Sequence, residues 1–106
     1  MPRFMFTADY TIEGLRGLLA EGGSGRVDAT RKAMESLGGH LDAMYFGFGE
    51  HDVYILCELP DNKAAAAASL MAGEAGGVNT KTVVLLTPEE IDHATRETVD
   101  YRAPGA

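Results

Sequence analysis

Leu41-Asp42-Ala43-Met44-Tyr45-Phe46 runs into Gly47-Phe48-Gly49-Glu50-His51-Asp52 and out again through Val53-Tyr54-Ile55-Leu56-Cys57. Two short apolar runs separated by a polar, glycine-bearing turn are the pattern of a β-hairpin. With Gly49 and Glu50 as the central residues, of a type II′ turn or of a four-residue loop centred at the same point, position 46 faces 53 and 45 faces 54. Tyr45 then stands beside Tyr54, with Asp52 on the same face, while Phe46, Phe48, Val53 and His51 share the other. Glu50, His51 and Asp52 in succession are more chemistry than a turn requires.

The elements around the hairpin follow from periodicity. Arg3 to Tyr10 alternates, with Phe4, Phe6, Ala8 and Tyr10 on one side, which predicts a strand. Thr11 offers an N-cap to a short first helix or turn carrying Ile12, Leu15 and Leu18, and Gly22-Gly23-Ser24-Gly25 interrupts it. A stronger helix is expected from Arg26 to Leu37, with Val27, Thr30, Met34 and Leu37 inward and Gly38-Gly39 ending it. Pro60-Asp61 stops the third strand and caps an alanine-rich helix to about Ala72. Residues 78–87 read as a fourth strand whose buried run is Val83 to Leu86. Thr87-Pro88-Glu89-Glu90 then forms a capping box for a terminal helix with Ile91 and Ala94 inward. The order is β-α-β-β-α-β plus a short C-terminal helix. It predicts an α+β fold with a four-stranded antiparallel sheet and both helices on one face. Residues 1–99 are one domain and 100–106 a polar tail.

Composition narrows the partners. Sixteen acids against nine Lys and Arg give a net charge of −7, which repels phosphate backbones and anionic lipid, so neither nucleic acid nor a membrane is expected. Asp9, Glu13 and Arg16 interrupt any apolar run near the N-terminus, and no targeting segment is expected. The lone Cys57 precludes an intrachain disulfide, fits a reducing cytoplasm, and reads as a small buried hydrophobe in mid-strand.

Strand three carries Val53, Ile55, Cys57 and Leu59 on one side and Tyr54 and Leu56 on the other; strand four is apolar on both sides too. Two helices cover only one face. A homodimer through the open sheet face is therefore expected, since a large exposed apolar patch is unusual on a soluble monomer. The alternative is a monomer whose terminal helix folds over that face.

The chain resembles the GYD-domain family on Tyr10-Thr11 with Gly14, Arg31, Gly38-Gly39, Gly49-Glu50-His51-Asp52, Pro60-Asp61 and Thr87-Pro88-Glu89-Glu90. The naming motif has a Tyr where this chain has His51. The resemblance implies membership of the ferredoxin-like, dimeric α+β barrel group. It implies no single biochemical function; the wider group includes cofactor-free monooxygenases, haem-handling enzymes and isomerases.

The candidate ligand-binding residues are Tyr10, Arg31, Met34, Tyr45, His51, Asp52 and Tyr54, around a pocket between sheet and helices. The Tyr and Met side chains would give adaptable apolar walls, Arg31 would pair with an anionic group, and His51 titrates near neutrality. Asp52 has a structural reading as well, as an acceptor of backbone N–H groups in the turn. His40 and His93 read as surface residues. No cofactor and no metal is expected: no His pair has helical spacing, and Gly22-Gly23-Ser24-Gly25 lacks the lysine of a phosphate loop. The expected function is small-molecule binding by a cytoplasmic dimer. The alternatives are a non-catalytic interaction or sensor module and a cofactor-independent monooxygenase- or isomerase-like enzyme.

Overall fold

In a computed structural model describing residues 1–106, the alternating stretch Arg3–Tyr10 is strand β1, and it sits inside the sheet. The other elements are α1 (Ile12–Ser36), β2 (His40–Phe46), β3 (Val53–Glu58), α2 (Asn62–Ala75), β4 (Val78–Leu85) and α3 (Pro88–Ala94). The four strands lie in the order β2-β3-β1-β4, all neighbours antiparallel. β1 pairs Phe6 with Ile55 on one side and with Thr82 on the other. Phe4, Phe6 and Ala8 are buried together with Met34 of α1, Cys57, Leu59, and Ala64 and Ala65 of α2. The small alanine face lets α2 lie close to the sheet.

Several expectations are corrected. The sheet is open: β2 and β4 are its two edges, and no strand closes it, so the dimeric α+β barrel implied by the resemblance is not what this chain forms. The first helix does break in the expected glycine run, but the second begins directly after Gly22 rather than at Arg26, so that α1 is two helices joined at a kink. The kink is at Gly22, whose φ of 79° and ψ of 170° are non-helical. The hairpin pairs Phe46 with Val53 and Tyr45 with Tyr54 as expected, but the turn is not type II′ at Gly49. Phe48 takes the positive φ instead, at 56°, and stacks on Phe46 with ring centroids 6.4 Å apart. The run from Val83 to Leu86 is not buried within the chain, nor is Ile91 of α3: β4 is an edge strand with a neighbour on one side only.

Glycine is required where backbones meet. Thr11 caps α1 by accepting the Gly14 N–H at 3.1 Å, and its hydroxyl donates to the Gly76 carbonyl at 2.9 Å beyond the end of α2. This draws Gly14 against Gly77, where a Cβ would fall on the Gly77 carbonyl. Gly39 is held likewise against the Glu58 carbonyl. No helix is long and apolar enough to cross a membrane.

Gly14→Ala should lower unfolding free energy by about 1–3 kcal/mol in urea, as overpacking does. Gly17→Ala, whose methyl meets nothing within 4 Å, should instead raise it by up to about 1 kcal/mol through helix propensity.

Candidate functional site

Between the covered sheet face and the two helices lies a cavity of about 370 Å³. Phe6, Ala8, Val53 and Ile55 floor it, Met34 of α1 and Leu37 just past its end form one wall, and Ala68, Met71 and Ala72 of α2 form the other. Its polar groups are few. Arg26 and Tyr10 occupy one end, and Ser69 on α2 bonds Thr80 of β4 at 3.0 Å along one side. Arg26 follows the kink at Gly22, and its guanidinium bridges back to Glu21 at 3.2 Å. Burial pushes the Tyr10 hydroxyl above its ordinary pKa, and the cationic Arg26 beside it offsets part of that rise. Tyr10 and Arg26 also border a second, shallower groove of about 240 Å³ along the first half of α1. The pair therefore stands as a partition between two hollows.

Two of the sequence candidates, Tyr10 and Met34, line this cavity. The other five stand elsewhere. Arg31 faces water on α1 and pairs with Asp28 at 3.2 Å. Tyr45 and Tyr54 are opposite one another on the uncovered sheet face, which is why the hairpin register could place them together but not in the cavity. His51 and Asp52 clamp the end of β1. The Asp52 carboxylate accepts the Tyr10 N–H at 2.9 Å, and the Asp9 carboxylate accepts the Asp52 N–H at 3.2 Å. His51 Nδ1 lies 3.2 Å from Asp9 Oδ2, and its ring meets Tyr54 edge-on at 5.9 Å. His51 and Asp52 thus link the hairpin to the strand that carries Tyr10 into the cavity.

Arg26 is the residue sequence reasoning missed. Its signal was a lone cation one helical turn before Thr30, on the same inward row, and the Thr30 hydroxyl donates to its carbonyl at 2.8 Å. His40 gathers with Asp42 and Glu58, with ligand atoms all within 4.8 Å of one another, a spacing that could hold a cation. Arg3 already reaches both carboxylates, at 3.2 and 3.7 Å, and supplies their countercharge. The fold keeps His51 at the other end of the hairpin, so His40 and His51 do not share a site. Cys57 is buried, its thiol pushed up to about 11, chiefly by desolvation and then by Asp42, so it is held as a neutral hydrophobe.

Fold and site together define a small α+β domain with an apolar cavity between an open antiparallel sheet and its helices. The chain belongs to the GYD domain family, whose model matches residues 4–95. No curated protein and no solved structure matches it.

Asp52→Ala should destabilise the fold by about 1–2 kcal/mol, because the Tyr10 N–H loses a charged acceptor. Asp52→Asn, which keeps a carbonyl acceptor, should recover much of the loss in thermal melts.

Proposed function

We propose that the protein binds a small, mostly apolar molecule whose polar head is a hydrogen-bond acceptor held by Arg26 and Tyr10. The observation that carries this is the cavity itself. At about 370 Å³ it falls within the usual range for small-molecule sites, of roughly 300–1,000 Å³. Its walls are predominantly hydrophobic, and its one charged group is a guanidinium offering only donors. Met34 and Met71 give walls that adapt to shape. Arg26 makes a carboxylate the best head group, since a planar fork of donors matches two oxygens at once.

Binding is favoured over turnover by what lines the cavity. No His, Asp, Glu, Lys or Cys is there, so general acid–base or nucleophilic chemistry has no side chain poised near neutrality to perform it. A cofactor-independent enzyme would have to draw its reactivity from the substrate. An interaction module without a ligand would leave an apolar hollow unfilled in an interior that ordinarily packs densely.

We infer further that the working unit is a homodimer meeting through the uncovered sheet face. Met5, Tyr45, Tyr54, Leu56, Val83 and Leu85 lie on that face by strand register, with Tyr45 68% exposed and Val83 41% exposed. A single buried thiol suits a reducing compartment such as the cytoplasm.

Calorimetric titration with octanoate and with octanamide tests the ligand reading. The acid should bind about tenfold or more tightly than its amide, in keeping with a charged hydrogen bond at the head. Arg26→Gln should abolish that preference. Ala68→Leu, which fills the cavity from α2, should weaken both. Acid binding unchanged by Arg26→Gln and Ala68→Leu would place the ligand elsewhere and remove this reading.

A further inference from the structure

Beyond Leu85 the chain leaves its own body. A compact domain of this length has a radius of gyration of about 13 Å, whereas this one has 16.8 Å and is 56 Å long against 33 and 23 Å in its other dimensions. The C-terminal arm, residues 86–106, has no buried residue. It is not unstructured: α3 carries a complete capping box, with the Thr87 hydroxyl accepting the Glu90 N–H at 3.1 Å and Glu90 accepting the Thr87 N–H at 2.9 Å. Yet no residue of α3 is buried, and the hydrogen bonds that follow it run from Thr95 to Ile91, Arg96 to His93 and Glu97 to Ala94, all within the arm.

The arm is also more apolar than a solvated tail needs to be. Leu86, Ile91, Val99 and Tyr101 are 59%, 45%, 74% and 71% exposed. A locally ordered segment holding four large apolar side chains in water, in a chain that also leaves one sheet face uncovered, has two surfaces seeking the same remedy. Folding the terminal helix over its own sheet would satisfy both, but no residue of the arm is buried against its own chain. The same contact made between two copies satisfies both without bending the chain back, which is the logic of segment exchange. Charge agrees. Lys81 projects on the open face by its pairing with Thr7 and makes no ion pair in its own chain, and neither do Glu89 and Asp92 in the first turns of α3.

Resting on the two-copy reading above, we propose that the C-terminal arm is exchanged between two copies of this chain, its apolar side seated on the open sheet face of the other. The arm starts at the end of edge strand β4, at the border of that face. Two-fold stacking of the sheets therefore carries each arm onto its neighbour. Lys81 of one chain then meets the acidic start of α3 from the other, which fixes which way the arm lies. The face-to-face contact and the two arms act as one interface.

The test is the dissociation constant of the full chain beside that of a chain ending at Leu86, by sedimentation or light scattering over a wide concentration range. The full chain should run at about twice its 11.3 kDa mass. The shortened chain should dimerise about 100-fold or more weakly, as expected when a large share of an interface is removed. A full-length double variant, Ile91→Glu with Val99→Glu, should weaken in the same direction while melting cooperatively, which guards against loss of folding in the truncation. Equal affinity of all three overturns the exchange and leaves the face-to-face dimer standing. A full chain that is monomeric while the shortened one dimerises shows the arm lying on its own sheet, and also overturns it. Monomers throughout would remove the two-copy reading itself, and the exchange with it.

Discussion

Strand β1 is hydrogen-bonded on both sides, to β3 and to β4, and everything else in this protein is positioned from it. Its alternation puts Phe4, Phe6 and Ala8 under the helices, and the same alternation brings Tyr10 to the edge of the cavity. An interior strand must have both sets of backbone groups paired, so its register cannot slip without turning the whole apolar set to the wrong face. The ends of β1 are therefore where the sequence spends its polar residues. At one end Arg3 reaches Asp42 and Glu58 on the neighbouring strands. At the other, Asp9 and Tyr10 are tied to His51 and Asp52 of the hairpin.

This explains what the family signature does in this chain. Gly14 allows the first helix to approach Gly77, Gly39 allows the chain to approach Glu58, and Asp61 caps α2 by accepting the Ala64 N–H at 2.8 Å. Thr87 and Glu90 cap α3. Asp52 accepts the backbone N–H of Tyr10. These motif residues fix backbone geometry outside the cavity, and of the signature only Tyr10 lines it. The cavity wall is written in ordinary residues, alanines and methionines chiefly, together with Arg26 just beyond a glycine kink. A glycine kink costs helix stability, and here it lets the second half of α1 turn its inward row, Arg26, Thr30 and Met34, over the sheet.

The exposed apolar surface is the other consequence of a one-sided architecture. Two helices on one face leave the opposite face, and the strand end that runs into the arm, without cover. The sheet does not relieve this by closing on itself. It has two free edges, and the apolar side chains of β4 beyond Thr82 stand in solvent on both sides. Exposed apolar surface is thus built into the pattern of the strands.

The sequence by itself determined the order of the elements, the strand faces, the helix caps and the hairpin pairing of Tyr45 with Tyr54, because each depends on neighbours within a few residues: a period of two, a capping side chain, a turn. It also determined that one sheet face would be left apolar. The tertiary structure alone decided which polar residues meet. Asp9 finds His51, Asp52 finds the Tyr10 N–H, and Arg26 comes to stand beside Tyr10, pairings of residues far apart in sequence that no local period encodes. It decided too that the sheet stays open and that the terminal helix stands clear of it. Caps and periodicity settle whether a helix forms, but where it lies depends on the apolar surface it meets, and this arm buries none of its residues against its own chain.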